Sequence, residues 1–447
     1  MVVKTVSASL ATLFILSGCS TISQKEAFDS VNQLTLQQGS KNLQWIKTPQ
    51  EAKIVDESVR VLLSEPLTQE NTLRIMLINN RALQQSYEYI GIAQSELVEA
   101  GLMRNPLLGY SIGRANGITT STISVEVAFL DLLWIPLRRE LSGLALEEAT
   151  LTIGDMVLQS ARDAKKSYIE ARIAEEKGAL FRSTLKSHEA SLQLAVRQYT
   201  AGNLSKRDML KIQDSYEHAR IESIKLAREN ATARESLNKI LGVYGEQTHY
   251  TLSTEPLTRL APAVSEPGLE KHAIINRLDM RSAMKSVDYA AKQAGYSENT
   301  RLLDEVELSV ESEKTTGEKR FNTFGIKLPI PLFDFGQARV SKSQAIYNQS
   351  VHRLYEMAVN VRSEVREGYA HLRYTYDIAR SYDEVIVKTN QQILEETQLF
   401  YNGMLDGIYE LLEDQRRAGE AKIEALDALG EYKRAQADLE YTIGGKL

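Results

Sequence analysis

The histidines and the single cysteine of this 447-residue chain are the residues whose spacing could build a metal site, and they do not build one. The six histidines form neither HExxH nor another ligand-spaced pair, and one cysteine excludes an intramolecular disulfide and a cysteine-cluster site. Gly444-Gly445-Lys446 lacks the upstream loop of a phosphate-binding motif. No nucleophile can be paired with a base, so we predict no enzymatic activity, no metal and no other cofactor.

The single cysteine, Cys19, lies where an export signal would be cleaved. Lys4 and an apolar run precede it, which is the build of a signal peptide and too short for a stop-transfer helix. Leu16-Ser17-Gly18-Cys19 resembles the bacterial lipobox, which implies removal of residues 1–18 and acylation of Cys19 with groups such as palmitate. Ser20 in the next position implies the outer membrane. The alternative is a plain secretory signal with an incidental cysteine.

The composition describes an ordered protein, with 43% apolar and 25% charged residues. The net charge is −6 and no block of five basic residues occurs, so nucleic-acid binding is not expected.

Two stretches without proline, residues 137–255 and 332–447, permit very long helices. Apolar residues follow a seven-residue repeat through both, which predicts coiled-coil packing, and His188 falls on this seam as a packed residue. Glycines at 202 and 403 interrupt the two stretches and predict tight turns in the left-handed conformation. Each stretch therefore predicts two antiparallel helices, roughly 95 Å long before the turn.

Residues with period two precede each helical stretch, over 107–129 and 304–330. They predict two hairpins with strands of about nine or ten residues, the length that crosses an outer membrane when tilted. A soluble hairpin with one wet face is the alternative. Membrane barrels begin at about eight strands, so a spanning chain with four must oligomerise.

The plan of strands followed by a helix pair occurs twice. Gly101 and Gly295, Pro136 and Pro331, and the two turn glycines are separated by 194, 195 and 201 positions, which indicates an internal duplication. Proline is expected where a strand leaves the sheet and a helix begins. The predicted segments are a signal peptide (1–18), an anchor or linker (19–72), a first repeat (73–255, helix pair 137–242), a linker (256–270) and a second repeat (271–447, helix pair 337–443).

Five segments together resemble the TolC-like outer-membrane efflux proteins. They are LINNRALQQSYEYIGIAQSELVEAGLMRNP (77–106), YTAGNLSKRDMLKIQ (199–213), IPLFDFGQAR (330–339), FYNGMLDGIYELLEDQ (400–415) and the terminal IGG (443–445). The resemblance implies a mostly α, α+β membrane protein whose homotrimer forms a twelve-stranded barrel in outer-membrane lipid, continued by a periplasmic helical tunnel. It also implies a passive exit duct of a tripartite efflux pump, with a periplasmic adaptor and an inner-membrane transporter as partners.

The resemblance also implies roles for particular residues. By position, the adaptor contacts would be Gly202, Asn203, Leu204, Ser205, Gly403, Met404, Leu405 and Asp406. Family members often close the tunnel with acids beyond the second turn glycine. Asp208 fits in the first repeat, and its counterpart by glycine spacing is Tyr409, with Glu410 and Glu413 nearby. The sequence IPLRRELSG (135–143) departs from the family pattern at the first corner.

Two other functions are compatible with the same sequence. A type I secretion system would use such a duct for proteins. A lipid-anchored coiled-coil scaffold would not span the membrane, although an adaptor-like scaffold should have one helical hairpin between β modules, and this chain predicts two.

The third strand supplies a prediction about ion preference. Alternation places Glu305, Glu307 and Glu311 opposite its apolar residues, and thus in the lumen if the apolar residues contact lipid. Because carboxylate rings favour cations, we expect a cation-preferring pore. The reversal potential of the reconstituted channel under a salt gradient tests this, and anion preference would contradict it.

Overall fold

The structure, a computed structural model, describes residues 25–255, 257, 268–302 and 306–445. The predicted signal segment, Cys19, Glu305 and most of the predicted 256–270 linker lie outside the described residues. The elements in chain order are α1 (Lys25–Gln37), α2 (Pro49–Ser64), α3 (Gln69–Asn79), α4 (Arg81–Ala100), β1 (Leu107–Ala115), β2 (Ile118–Ala128), α5 (Asp131–Thr200), α6 (Lys206–Leu241), a 3₁₀ turn (Gly245–Thr248), α7 (Leu269–Asn276), α8 (Leu278–Asn299), β3 (Glu307–Thr315), β4 (Phe321–Lys327), α9 (Gln337–Ser381), a π-helical turn (Tyr382–Ile386), α10 (Val387–Asn402) and α11 (Ile408–Thr442).

The chain divides into two compact units, each built from several chain segments. Among the described residues, the first unit contains the sheet and comprises residues 25–30, 88–150, 284–302 and 306–351. The second unit contains most of the helical residues and comprises the described residues of 31–87, 151–283 and 352–445.

The first unit holds one four-stranded antiparallel sheet in the order β1-β2-β3-β4. This confirms the two predicted hairpins, and the central pairing of β2 with β3 joins them into one sheet. Among the described residues, β1 pairs only with β2 and β4 only with β3, so each has one outer edge without a partner strand.

The two faces of the sheet differ in polarity. One row of the apolar face crosses all four strands through Leu108, Val125, Val310 and Phe324. These side chains are exposed, from 37% for Val125 to 81% for Phe324. The row on the opposite face, next to it, contains Gly109, Ser124, Glu311 and Thr323. An apolar face this exposed requires a cover that the described chain does not supply.

The first corner differs from the prediction. Pro136 was expected to mark the start of the helix, but α5 begins at Asp131 and Pro136 lies inside it. Asp131 is buried and accepts hydrogen bonds from the side chain of Arg104, with Nε to Oδ2 at 2.9 Å, which fixes the start of the helix before the proline. In the second repeat the prediction is confirmed, because Pro329 and Pro331 lie between β4 and α9.

The long helices of the second unit pack along the predicted seams. One buried cluster joins Val361, Val365 and Leu372 of α9 to Tyr432, Ala435 and Leu439 of α11. A second cluster joins Tyr168 and Ala171 of α5 to Leu237 and Leu241 of α6, together with residues of α2 and α3. No helix in the described ranges has a stretch both long and apolar enough to cross a bilayer.

The helices that return from the two turns, called the returning helices below, are α6 and α11. Each ends at a glycine in the left-handed conformation, Gly242 (φ 70°) and Gly444 (φ 72°). A Cβ atom on Gly242 would lie 2.8 Å from the Asn79 carbonyl oxygen, so the close approach requires glycine. Asn79 Nδ2 donates to the carbonyls of Leu241 and Gly242 at 2.9 and 3.0 Å. In the second repeat the Arg277 guanidinium takes the place of the Asn79 amide and donates to the Thr442 carbonyl at 3.3 Å. Both contacts satisfy carbonyls that a helix end leaves free.

Arg277 gives a stability prediction. Its side chain is 8% exposed and pairs with Asp279 at 2.7 Å and with Glu364 at 2.6 Å. Arg277→Met should destabilise the protein by roughly 3 kcal/mol, because it leaves two carboxylates and the Thr442 carbonyl without this donor. The matched control is Arg366→Met, since Arg366 is 60% exposed and 3.5 Å from Glu270, and it should cost less than about 1 kcal/mol. Thermal unfolding in detergent measures both, and equal shifts would contradict this account of the helix end.

Candidate functional site

The polar face of the sheet carries the residues predicted to line a pore. Glu307 and Glu311 lie on it, separated by the buried Ser309. The structure adds three residues that the pore prediction omitted. Lys327 of β4 lies directly opposite Glu307 and forms an ion pair with Glu126 of β2. Glu313 lies on the same face, two residues after Glu311 in β3. Among the described residues, the face therefore presents the carboxylates of Glu126, Glu307, Glu311 and Glu313 and the ammonium group of Lys327, and the alternation of the strands contained the signal for all three additional residues.

The first helical turn connects α5 to α6 through residues 201–205. Gly202 is left-handed (φ 76°), as predicted, and its N–H donates to the Tyr199 carbonyl at 3.0 Å. The N–H of Asn203 donates to the Gln198 carbonyl at 2.9 Å. Ser205 caps α6, because its hydroxyl accepts from the Asp208 N–H at 3.1 Å and donates to the Asp208 carboxylate at 2.6 Å.

The second helical turn connects α10 to α11 and repeats these hydrogen bonds with different residues. The N–H groups of Met404 and Leu405 donate to the carbonyls of Tyr401 and Phe400 at 3.0 and 2.9 Å. Met404 is the left-handed residue (φ 61°), while Gly403 has the right-handed helical conformation (φ −78°). The prediction of a left-handed Gly403 was therefore wrong by one residue.

This shift changes the pairing of the acidic residues. Ser205 and Gly407 are the two N-caps, 202 positions apart, and the third residue after each is Asp208 and Glu410. The counterpart of Asp208 in the helix is thus Glu410, and the pairing with Tyr409 was wrong. The error arose because the two turn glycines, which are 201 positions apart, occupy different places in their turns.

A small apolar cluster beneath the turns holds them side by side. Its buried members are Ala195, Ile212 and Leu412, from three different helices. The Lys211 ammonium lies 5.0 Å from the centre of the Tyr409 ring and 3.9 Å from the Asp208 carboxylate. The predicted candidates Asp208 and Tyr409 are therefore brought together around one lysine.

Glu413 differs from the other acidic candidates because it lies between two arginines. It accepts from Arg416 at 2.6 Å and lies 3.4 Å from Arg417. The hydrogen bond from Arg416 lowers the pKa of Glu413. Glu410 is exposed, whereas Asp208 is half-buried and its carboxylate accepts from the Ser205 hydroxyl.

His188 is packed inside the helices, as its seam position predicted. It is 2% exposed, its Nδ1 lies 3.3 Å from the Ser215 hydroxyl, and its buried Nε2 has no hydrogen-bond partner. Burial lowers the pKa of His188, Arg416 lowers it further, and Glu413 acts in the opposite direction. Within the described ranges, no group of three histidine, cysteine, aspartate or glutamate side chains could hold a metal ion.

Comparisons with known proteins identify relatives of this arrangement. Residues 269–445 match the family described as outer membrane efflux protein. Nodulation protein T of Rhizobium leguminosarum bv. viciae is 23% identical over 391 residues, covering 83% of this chain and 80% of the relative. The probable outer membrane lipoprotein SilC of Salmonella typhimurium is 22% identical over 419 residues, covering 88% and 86%. The Campylobacter jejuni CmeC outer membrane channel has a similar structure, with a TM-score of 0.72, 12% identity and coverage of 93% and 91%.

The buried histidine gives a pH prediction. Because the pKa of His188 is lower in the folded protein, the unfolded chain binds its proton first as the pH falls below about 6.5, and stability is lost there. The thermal midpoint of the wild type should therefore fall more between pH 7.5 and pH 5.0 than that of His188→Leu. His218→Leu is the control, since His218 is 76% exposed, and it should follow the wild type. Equal acid sensitivity of all three proteins would contradict the role of His188.

Proposed function

We propose that this chain, a member of the TolC-like outer-membrane efflux protein family, is the passive exit duct of a tripartite pump for small molecules. The family places the protein in the outer membrane and consists of channels, which agrees with the prediction that it is not an enzyme. The observation that carries the proposal is the four-stranded sheet, which has an exposed apolar face and in which the outer edges of β1 and β4 have no partner strand within the part of the chain that the structure describes.

Three copies would close this sheet into a barrel of twelve strands. In each contact β4 of one copy would pair with β1 of the next, which satisfies backbone groups that lipid cannot hydrogen-bond. The apolar row through Val125 and Val310 would then contact lipid. Glu126, Glu307 and Glu311 would face the lumen, with Lys327 offsetting part of their charge, and Glu305 would join them.

The helices of the second unit would form the periplasmic part of the duct. Residues 202–205 and 403–406 would contact the periplasmic adaptor, and an inner-membrane transporter would supply the energy. Asp208 and Glu410 would narrow the periplasmic end, because three copies place six carboxylates there. Tyr409 belongs to the same group, because its ring contacts the Lys211 ammonium. Glu413 instead forms an ion pair with Arg416.

The boundaries predicted for the signal peptide, the linkers and the two repeats are part of this proposal. Acylation of Cys19 would anchor each copy to the inner surface of the outer membrane, and the lipoprotein SilC supports this assignment. A type I secretion duct would have the same pore, and its cargo would be proteins, which the cell would retain if the duct were lost. A non-spanning scaffold would leave the apolar face of the sheet in water.

A pair of substitutions on β3 tests the proposal. Val310→Lys places a charge on the apolar face, which costs roughly 2–4 kcal/mol at the middle of a bilayer. Glu311→Lys places the same side chain at the neighbouring position, which lies on the polar face of the sheet. In a deletion strain, Glu311→Lys should restore outer-membrane insertion and low accumulation of small toxic compounds, and Val310→Lys should restore neither.

The measurements are the amount of protein in washed outer membranes and the intracellular accumulation of a panel of dyes, drugs and metal ions. Equal insertion of both variants would contradict a spanning sheet. The secretion duct would be favoured if the wild type inserts normally but changes the accumulation of no small compound, and if the deletion strain retains a protein that the complemented strain secretes.

A further inference from the structure

Two arginines, Arg138 and Arg139, follow the proline at the first corner and distinguish it from the second. Counted from the corner prolines, they occupy the places of a phenylalanine and an aspartate in the second repeat. That phenylalanine, Phe333, is 95% exposed. The two corners therefore present different chemistry, although each connects a strand to a long helix. The pair Arg138 and Arg139 is called the corner arginines below.

The structure places both corner arginines against the loop that leads into β1. The Arg138 guanidinium donates to the Leu102 carbonyl at 3.4 Å and lies 3.9 Å from the Asp131 carboxylate. Arg139 is exposed and packs beside Gly101, where a Cβ atom would lie 3.2 Å from the arginine Cδ. These contacts are long or apolar, so both guanidinium groups keep most of their capacity to donate hydrogen bonds.

The carboxylates closest to this corner in the sequence are paired with other cations. Asp131 accepts from Arg104 at 2.9 Å, and Glu140 forms an ion pair with Lys292 at 2.8 Å. Since each of these acids has its own cation, the corner arginines add positive charge that the two acids do not balance. An anion with several oxygen acceptors suits such a pair, because the planar guanidinium matches the geometry of phosphate.

Exposed apolar side chains lie beside the corner arginines, on the side nearer the sheet. Leu132, Pro136 and Arg139 are exposed and are separated by four and three positions, so they share one face of α5. Leu132 is 52% exposed, and Leu102, whose carbonyl accepts from Arg138, is 55% exposed. An anion that fits this corner should therefore carry an apolar part that is directed toward the sheet.

The spacing along α5 matches the layers of a lipid bilayer. The corner arginines follow Leu132 by six and seven positions, which is roughly 9–10 Å along the helix axis. The headgroup layer on each side of the hydrocarbon is about 5–8 Å deep. Side chains of a helix tilt toward its N-terminus, and long arginine side chains place their charge in the headgroup layer. With Leu132 at the edge of the hydrocarbon, the guanidinium groups would lie at the depth of the phosphates.

We propose that Arg138 and Arg139 bind the phosphate group of a phospholipid in the periplasmic leaflet of the outer membrane. Leu132 and Leu102 contact its acyl chains. The site occurs once in each chain, at the first corner. This inference rests on the proposed function, because it assumes that the sheet lies in the outer membrane.

Native mass spectrometry with two lipids that share the same acyl chains tests the proposal. The full chain, freed of endogenous lipid in detergent, receives dioleoylphosphatidylglycerol or dioleoylglycerol, which lacks the phosphate. The wild type should bind the phospholipid at least about tenfold better, because the diacylglycerol cannot accept the charge-assisted hydrogen bonds. In the double variant Arg138→Gln/Arg139→Gln, the two lipids should bind within about twofold of each other.

A control double variant has the same change in charge at a distance from the corner. Arg228 and Arg373 are exposed on α6 and α9. Replacing both with glutamine should leave the preference for the phospholipid within about twofold of that of the wild type. The thermal midpoint of each double variant separates a loss of lipid binding from a loss of folding, and the comparison of the two lipids on the wild type depends on no variant.

Four results would overturn the proposal. They are equal binding of the two lipids by the wild type, an unchanged preference in the corner variant, displacement of the phospholipid by an equal concentration of inorganic phosphate, and loss of the oligomer in the corner variant with lipid binding unchanged. The last result would assign the corner arginines to a contact between copies of this chain. A wild-type trimer without a lipid preference would overturn this site alone. A wild-type monomer that is absent from washed outer membranes would overturn the proposed function, and the site with it.

Discussion

Hydrogen bonding at the edges of one small sheet constrains this protein more than any other interaction. The sheet exposes an apolar row through Val125 and Val310 on one face, and the outer edges of β1 and β4 have no partner strand among the described residues. In lipid, unpaired backbone groups are prohibitively costly, so a spanning sheet of this kind must close. Under the proposed function, closure by further copies would turn the polar face, with Glu307 and Glu311, into a lumen.

The two halves of the chain contain matching parts, which agrees with the predicted internal duplication. The N-caps Ser205 and Gly407 and the terminal glycines Gly242 and Gly444 are all 202 positions apart, so the returning helices have kept their length. Their chemistry has diverged. At the helix ends, an asparagine amide in one repeat corresponds to a buried arginine in the other. At the turns, Gly202 in one half corresponds to Met404 in the other, and both residues have the left-handed conformation.

The sequence predicted those features that follow from periodicity and turn chemistry. The seams through Tyr168 and Leu439 and the two hairpins are confirmed, because alternating apolar residues decide which face packs. Three details depended on contacts that no local pattern records. Asp131 starts α5 before Pro136 because a distant arginine binds it, and the register of the second turn depends on backbone conformation at Met404. The ion pair between Lys327 and Glu126 depends on pairing between the two hairpins, although alternation along β4 already marks Lys327 as a residue of the polar face.

Native mass spectrometry of the protein extracted from membranes in gentle detergent tests closure of the sheet most directly. The measurement gives both the number of chains in the complex and the mass of each chain. The account predicts a trimer whose chains lack residues 1–18 and carry acyl groups on Cys19. A protein that remains monomeric under the gentlest extraction would leave the edges of β1 and β4 unpaired, and would contradict the account.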